Sequence, residues 1–351
     1  MWAPTLLGPS DPSTLHATFH LGIVHHRRFQ YPEAESYLQQ VMTDATTPST
    51  RPTGREASSI LGLVYRHLGR HEEALALLDG PRPPFDAALP PRYRRALIVQ
   101  DLGNWNDALT DYNQVYAGFT DVLGPNHPLT LRTANALGML YRLMARRAEA
   151  RAMLETAWKG QQELGFSQEN ETAQLRTDYN LAALDRDEGR YTEALQRLER
   201  VVSAEGRLHG AKAHSTLRCE VEMAVLRAEM GEVDAAAAVL RGVLETQSEH
   251  YPDARADQAN TRTVLAETLV RGGRVDEAVE VLEPAVKFVR ASQRLGNPVR
   301  LRVELARASC LSARGRVEDM KPSLREIVEQ LEMTFGSGHP FTERGRDLLV
   351  V

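Results

Sequence analysis

The chain has 351 residues, of which 42 % are hydrophobic and 25 % charged, with a formal net charge of −5. This balance excludes a disordered polyelectrolyte and argues against a general nucleic-acid binder, which carries a basic surplus or stripe. No apolar run reaches the roughly 20 residues of a membrane span, and the opening MWAPTLLGPSDP lacks a signal-peptide layout, so neither a membrane nor a nucleic-acid partner is expected.

Taken in order, apolar residues at three- and four-residue spacing predict paired helices: 12–27 with 31–45, 53–68 with 71–79, 91–102 with 104–122, 128–144 with 146–164, 169–187 with 191–206, 211–229 with 233–249, 255–271 with 275–294 and 297–313 with 317–334. A last helix, about 340–349, follows them. Two proline-rich stretches, 46–54 and 79–91, read as joints around a short second pair. The phrase LGPNHPLTL, Leu123 to Leu131, stops one helix at Gly124 and Pro125 and starts the next at His127-Pro128. Near copies stand at Leu7–Leu15 and Phe335–Thr342. His127 and His339 are therefore read as structural.

A repeat underlies the pairs. GRHEEA, GNWNDA, ARRAEA, GRYTEA, GEVDAA, GRVDEA and GRVEDM recur, with FQYPEA as a looser first copy. They close on Ala34, Ala74, Ala108, Ala150, Ala194, Ala236, Ala278 and Met320. Twelve residues before each stands Gly or Ala: Gly22, Gly62, Ala96, Gly138, Ala182, Ala224, Ala266 and Ala308. Small residues at both places let helix A and helix B of one unit approach closely. A bulky residue there overpacks the contact, at about 1–3 kcal/mol. In most units a Gly five residues before the closing position suits a helix C-terminal cap. Stacked units bury a continuous core that no unit forms alone.

Leu61-Gly62-x-x-Tyr65 followed by Gly69, Ala74 and Leu78 resembles the tetratricopeptide repeat (TPR), as does Leu137-Gly138-x-x-Tyr141 with Ala150 and Leu154. The 42-residue spacing, the LGPNHPLTL joint and Asn180-Leu181-Ala182 resemble the kinesin-light-chain subclass, whose repeats are similar to those of fungal NLR-type arrays. The resemblance covers essentially the whole chain and separates it from HEAT and armadillo repeats. It implies an all-α, right-handed α-solenoid of about eight helix pairs, 8–45, 53–80, 91–122, 124–165, 166–208, 209–250, 251–294 and 295–334, with a cap at 336–351, as a single domain. Arg95 and Arg307 depart from the pattern, at places usually apolar.

No phosphate-binding loop, His-Glu-x-x-His or catalytic constellation is legible, so no cofactor is expected and the chain reads as a non-enzyme more readily than an enzyme. His16 and His20 sit four apart on one helix, but no Cys, Asp or Glu ligand stands near them on it. They read as a solvated or groove-lining pair and no metal is expected. Cys219 and Cys310 lack metal or redox spacing and read as reduced core thiols of an intracellular, cytoplasmic protein. The run DRDEGR reads as a solvated helix end.

TPR arrays line their concave face with A helices, so the resemblance says which positions to read. Met139 and its equivalents form an apolar floor. Arg132, Arg176 and Arg218, two places into their helices, and Arg66, Arg142 and Arg186, twelve places in, recur where they could ring it. Tyr93, Tyr179, Asn180 and His20 add polar groups. Two readings follow. The arginines are ladders paired with acids between units, or they clamp carboxylates, which the planar guanidinium holds bidentately. The second makes the chain a scaffold for a peptide or protein with acidic groups. The alternative is a small-molecule site, for an organic acid or metabolite, in an accessory or cyclising enzyme of secondary metabolism.

Overall fold

The computed structural model describes residues 8–78, 85–165 and 167–350. Among them are seventeen α-helices and one short 3-10 helix, arranged as an α-solenoid of helix pairs with a further helix at the end. The A and B helices alternate as α1 (Pro12–Arg27) and α2 (Tyr31–Asp44), α3 (Arg51–His67) and α4 (His71–Leu78), α5 (Phe85–Asp101) and α6 (Trp105–Leu123), α7 (Pro128–Leu143) and α8 (Arg147–Glu163). They continue as α9 (Gln168–Asp187) and α10 (Tyr191–His209), α11 (His214–Glu229) and α12 (Val233–His250), α13 (Arg255–Arg271) and α14 (Val275–Ser292), α15 (Pro298–Ala313) and α16 (Lys321–Phe335), then α17 (Pro340–Val350). Each A helix packs on its own B helix and each B helix on the next A helix, and most A helices also touch the A helix of the next unit.

Close approach within a pair rests on the small residues. A Cβ added at Gly138 would lie 2.5 Å from Leu154 Cγ and 3.2 Å from the Ala150 carbonyl oxygen. Gly138→Leu is therefore expected to destabilise by about 1–3 kcal/mol through overpacking. A urea midpoint unchanged from the parent would refute that reading of the contact.

The A–B turn needs a left-handed residue. Gly69, Gly103, Gly189, Gly231, Gly273 and Gly315 supply it, with φ between 69° and 91°. Phe29 (φ 61°) and Ala145 (φ 56°) fill the same place in units 1 and 4. A Phe there is strained and held by its surroundings.

At the joint, the Thr130 hydroxyl donates to the Gly124 carbonyl at 2.8 Å and His127 Nδ1 accepts from the Leu129 amide at 3.2 Å, which caps α7. Thr216 on Gly210 and Thr342 on Gly336 repeat the first bond at 2.9 and 2.8 Å. His339 repeats the second, with Phe341, at 3.2 Å.

Two boundaries differ from expectation. Helix A of unit 3 starts at Phe85 and contains Pro90 and Pro91, where a joint was expected up to 91. Leu89, 2 % exposed, packs with Val115 and Phe119 and anchors this segment on α6, although the prolines remove helix bonds. The rest of that stretch, 79–84, lies outside the described residues. Helix B of unit 8 opens as a 3-10 turn, Val317–Met320, and restarts as α16, whose first turn holds Pro322.

The solenoid curls until turns from early units meet joints of late ones. The Phe29 ring stacks on His214 (centroids 4.3 Å) and meets Tyr251 at 5.3 Å. Asn297 Nδ2 donates to the Asp101 carbonyl at 3.1 Å, and Trp105 packs on Phe335 at 4.6 Å. His339 Nδ1 accepts an amide hydrogen, so its Nε2 carries the ring proton and donates to the Leu143 carbonyl at 3.0 Å. Burial pushes the His339 pKa below its usual value, which suits this neutral tautomer.

Candidate functional site: the concave groove

The arginines of the A helices divide into two rows, at opposite ends of the same helix face. Ten residues separate Arg132 from Arg142, about 15 Å along α7.

The row near the helix C-termini is a ladder. Arg66 grips Asp101 of the next A helix through Nε at 2.5 Å and Nη2 at 3.2 Å. Arg142 Nη1 reaches Asp187 at 2.7 Å. Arg186 holds Asp187 at 2.8 Å and Glu222 at 2.5 Å. Burial alone would raise the Asp101 pKa, but Arg66 and His71 outweigh it and hold it at about 2. Burial opposes the charge of Arg186 as well, and Glu222 with Asp187 more than restores it. Each of Arg66, Arg142 and Arg186 is paired with an acid of the next unit, and Arg186 with Asp187 of its own helix as well, as the ladder reading expects.

The row near the helix N-termini is different. Arg132, Arg176 and Arg218 occupy equivalent places on α7, α9 and α11, and none has a carboxylate within ion-pair distance among the described residues. Arg132 lies over the Tyr93 ring at 4.8 Å and Arg218 over Tyr179 at 4.9 Å. Each stack joins an arginine to a tyrosine of the preceding unit. Arg176 and Arg218 are exposed, Arg132 half-buried. Partial desolvation, then the like charges of Arg218 and Arg132, lower the Arg176 pKa, against the opposing effects of Tyr93 and Glu205. The positive ends of the A-helix dipoles add to the same field. Arg94 of α5 lies close by. Burial lowers its pKa, and so does Arg132, against the opposing charge of Glu56. Its Nη1 donates to the Ser59 hydroxyl at 2.6 Å. It escaped the sequence reading because other units place Ala136, Asn180 or Glu222 there.

The remaining candidates are scattered between scaffold and groove. Burial, then Glu222, pushes the Tyr179 pKa up to about 12. Tyr93 meets Tyr112 edge-on at 5.6 Å. Asn180 is 4 % exposed and donates to Asn135 Oδ1 at 3.0 Å, a bond between units 4 and 5. Met139 is half-buried on the face of α7. His20 is exposed, its Nε2 3.3 Å from His16 Nε2. Among the described residues no group of three His, Cys, Asp or Glu is placed to hold a metal, and no helix is long and apolar enough to cross a membrane. Cys219 and Cys310 are buried and unbridged, and burial pushes their thiols up to about 12 and about 11.

One expectation fails outright. Asp185, in the run read as a solvated helix end, is 3 % exposed. It accepts from Arg151 at 2.7 Å and Arg190 at 2.5 Å, with Arg197 at 3.5 Å. The run sits at a helix end, but α8 of the preceding unit packs over it. Arg95, flagged as out of pattern, pairs with buried Asp111 of its own B helix.

Tetratricopeptide-repeat sequence models match residues 21–87, 90–163, 175–200 and 259–284, together more than half of the chain. Among curated proteins nothing matches. Similar solved structures include kinesin-light-chain TPR-like repeats from Podosopora anserina, 25 % identical, covering 61 % of this chain and 99 % of that one at a TM-score of 0.43. A Rap protein complexed with Competence and Sporulation Factor is 13 % identical and covers 97 % of each chain at a TM-score of 0.63. The Rap conjugation gene regulator of plasmid pLS20, in complex with the Phr* peptide, is 12 % identical over 93 % of this chain and 95 % of that one, TM-score 0.54. At these identities the two Rap structures attest the fold alone. With its helix pairs, small-residue contacts and turns matching the repeat along its length, the chain belongs to the tetratricopeptide-repeat family.

Proposed function

We propose that this protein is an interaction scaffold that holds an acidic peptide segment of a partner in its concave groove. The observation that carries the reading is the contrast between the two arginine rows. Where arginines serve the scaffold, each has an acid from the neighbouring unit. Arg132, Arg176 and Arg218 repel one another with no such acid, an arrangement that an anionic ligand would relieve. Two proteins of the same fold were solved with Competence and Sporulation Factor and with a peptide, which suits a groove of this architecture. Buried, reduced cysteines suit a cytoplasmic setting.

The test uses a ten-residue polyglutamate peptide. Each clamped carboxylate is expected to contribute on the order of 1–3 kcal/mol, so replacing Arg132, Arg176 and Arg218 together by Gln should weaken binding at least about a hundredfold. Raising salt should weaken binding to the parent. Arg142→Gln with Arg186→Gln should instead lower the melting temperature, because it leaves Asp187 and Glu222 without partners, and change affinity little. A triple variant that binds polyglutamate as the parent does would refute the proposal.

A further inference from the structure

The spacing of the unpaired row bears on the shape of its ligand. Arg132, Arg176 and Arg218 lie one per unit on α7, α9 and α11, and α7 touches α9 as α9 touches α11. Axes of helices packed in contact lie about 8–10 Å apart, so the row repeats at about that interval. A ligand meeting all three must present carboxylates on one side with the same period. A β-strand does not, because its same-side residues recur every second position, about 7 Å apart. A polyproline-type helix has three residues per turn and a rise of about 3.1 Å, so every third residue returns to one side after about 9 Å. An α-helix returns to one side every three or four residues, about 5.4 Å, and again after seven, at about 10.5 Å, so its period straddles that of the row. The stacks of Arg132 on Tyr93 and Arg218 on Tyr179 set flat aromatic rings beside the charges. These stacks hold the two guanidinium planes in place at that spacing.

We infer that the groove reads an extended, polyproline-type segment with an acidic residue at every third position, one each for Arg132, Arg176 and Arg218. This rests on the acidic-peptide reading above and adds register and conformation to it.

Peptides of equal composition separate the two. An acetylated, amidated peptide of three Glu-Pro-Ser triplets is expected to bind about tenfold or more tighter than one with the same residues in blocks, three Glu, three Pro, three Ser, as one lost charge-assisted contact implies. Arg176→Gln should weaken the triplet peptide by about the same factor. That loss should vanish when the central Glu of the peptide is Gln, because the pair has then already been removed. Equal binding of the triplet and block peptides would overturn the register while leaving the acidic groove intact. So would binding of polyglutamate with none to the triplet peptide. Tighter binding of a helical peptide with acids seven residues apart would overturn the extended conformation. If polyglutamate also fails to bind, the acidic-groove reading falls with the register.

Discussion

Acidification from pH 7.5 to pH 4 is expected to remove on the order of 3–6 kcal/mol of folding stability, through two histidines of the first two units. The His67 ring stacks almost parallel on buried Tyr31, with centroids 5.2 Å apart, and His26 meets His67 at 5.5 Å. Burial, then Arg27 and Arg66, lowers the His26 pKa to about 4. Burial, then Arg66 and His26, lowers that of His67 to about 3, against the opposing charges of Asp257 and Asp101. Both values lie below the unperturbed histidine value of about 6.5. Below that value the unfolded chain binds protons that the folded chain does not, so stability is lost as pH is lowered. The loss begins as pH drops through about 6.5 and continues towards 4 for His26 and 3 for His67. Above pH 7 neither contributes a slope. His26 is one of the groups that depress His67, so the two do not add in full. The urea midpoint followed against pH measures the loss. A double His26→Phe, His67→Phe variant, which keeps the rings, should show a flatter profile between pH 6.5 and 4. A parent whose midpoint is the same at pH 7.5 and pH 4.5 would show that the rings are not held neutral.

Replacing Asp185 by Ala is expected to cost about 2–4 kcal/mol. The carboxylate is nearly inaccessible and ties three elements together: Arg151 from α8, Arg190 from the turn of its own unit and Arg197 from α10. Removing one partner of a buried ionic group costs about 3–5 kcal/mol, because the other charges stay behind uncompensated. Here the arginines keep between 25 % and 40 % of their side-chain exposure, so water recovers part of the loss. Arg151 also keeps Glu188 at 2.9 Å. Asp185→Asn should recover some of the hydrogen bonding and fall between parent and Ala variant. Denaturant unfolding of both variants decides the matter. A loss below about 0.5 kcal/mol for Ala would return Asp185 to the solvated helix end that its sequence context suggests.

The features legible in the sequence were those set by contacts inside one unit. The Gly138–Leu154 approach, the turn glycines and the Gly124–Thr130 joint connect residues at most a few turns apart, so each copy carries its own full signature. Features set by rotation between units were not legible. Arg142 and Arg176 looked equivalent as candidates, yet Arg142 meets Asp187 and Arg176 meets no acid, a difference that depends on how α7 and α9 cross. The start of α5 was hidden by Pro90 and Pro91, and the packing of Leu89 against α6, which accompanies it, is a contact between helices that no local pattern announces. Asp185 was misread because exposure at a helix end is decided by what the preceding unit lays over it. The stack of Phe29 on His214 joins residues 185 positions apart in sequence and follows from rotation accumulated over five units.

That stack, with the Asn297–Asp101 and His339–Leu143 hydrogen bonds, changes what kind of object the array is. An open solenoid behaves as a one-dimensional chain, in which every unit feels only its neighbours and copies can be gained or lost at modest consequence. Here early units are stitched to joints about five units later, so melting of the last pair would strip partners from Trp105, Leu143 and Asp101 near the middle. Unfolding is thereby made more cooperative than the repeat alone dictates. The number of copies between the stitched positions is constrained as well. One unit inserted between the second and fifth would carry His214 and Tyr251 a full step past Phe29, leaving a bulky residue in a left-handed turn without the two rings that cover it.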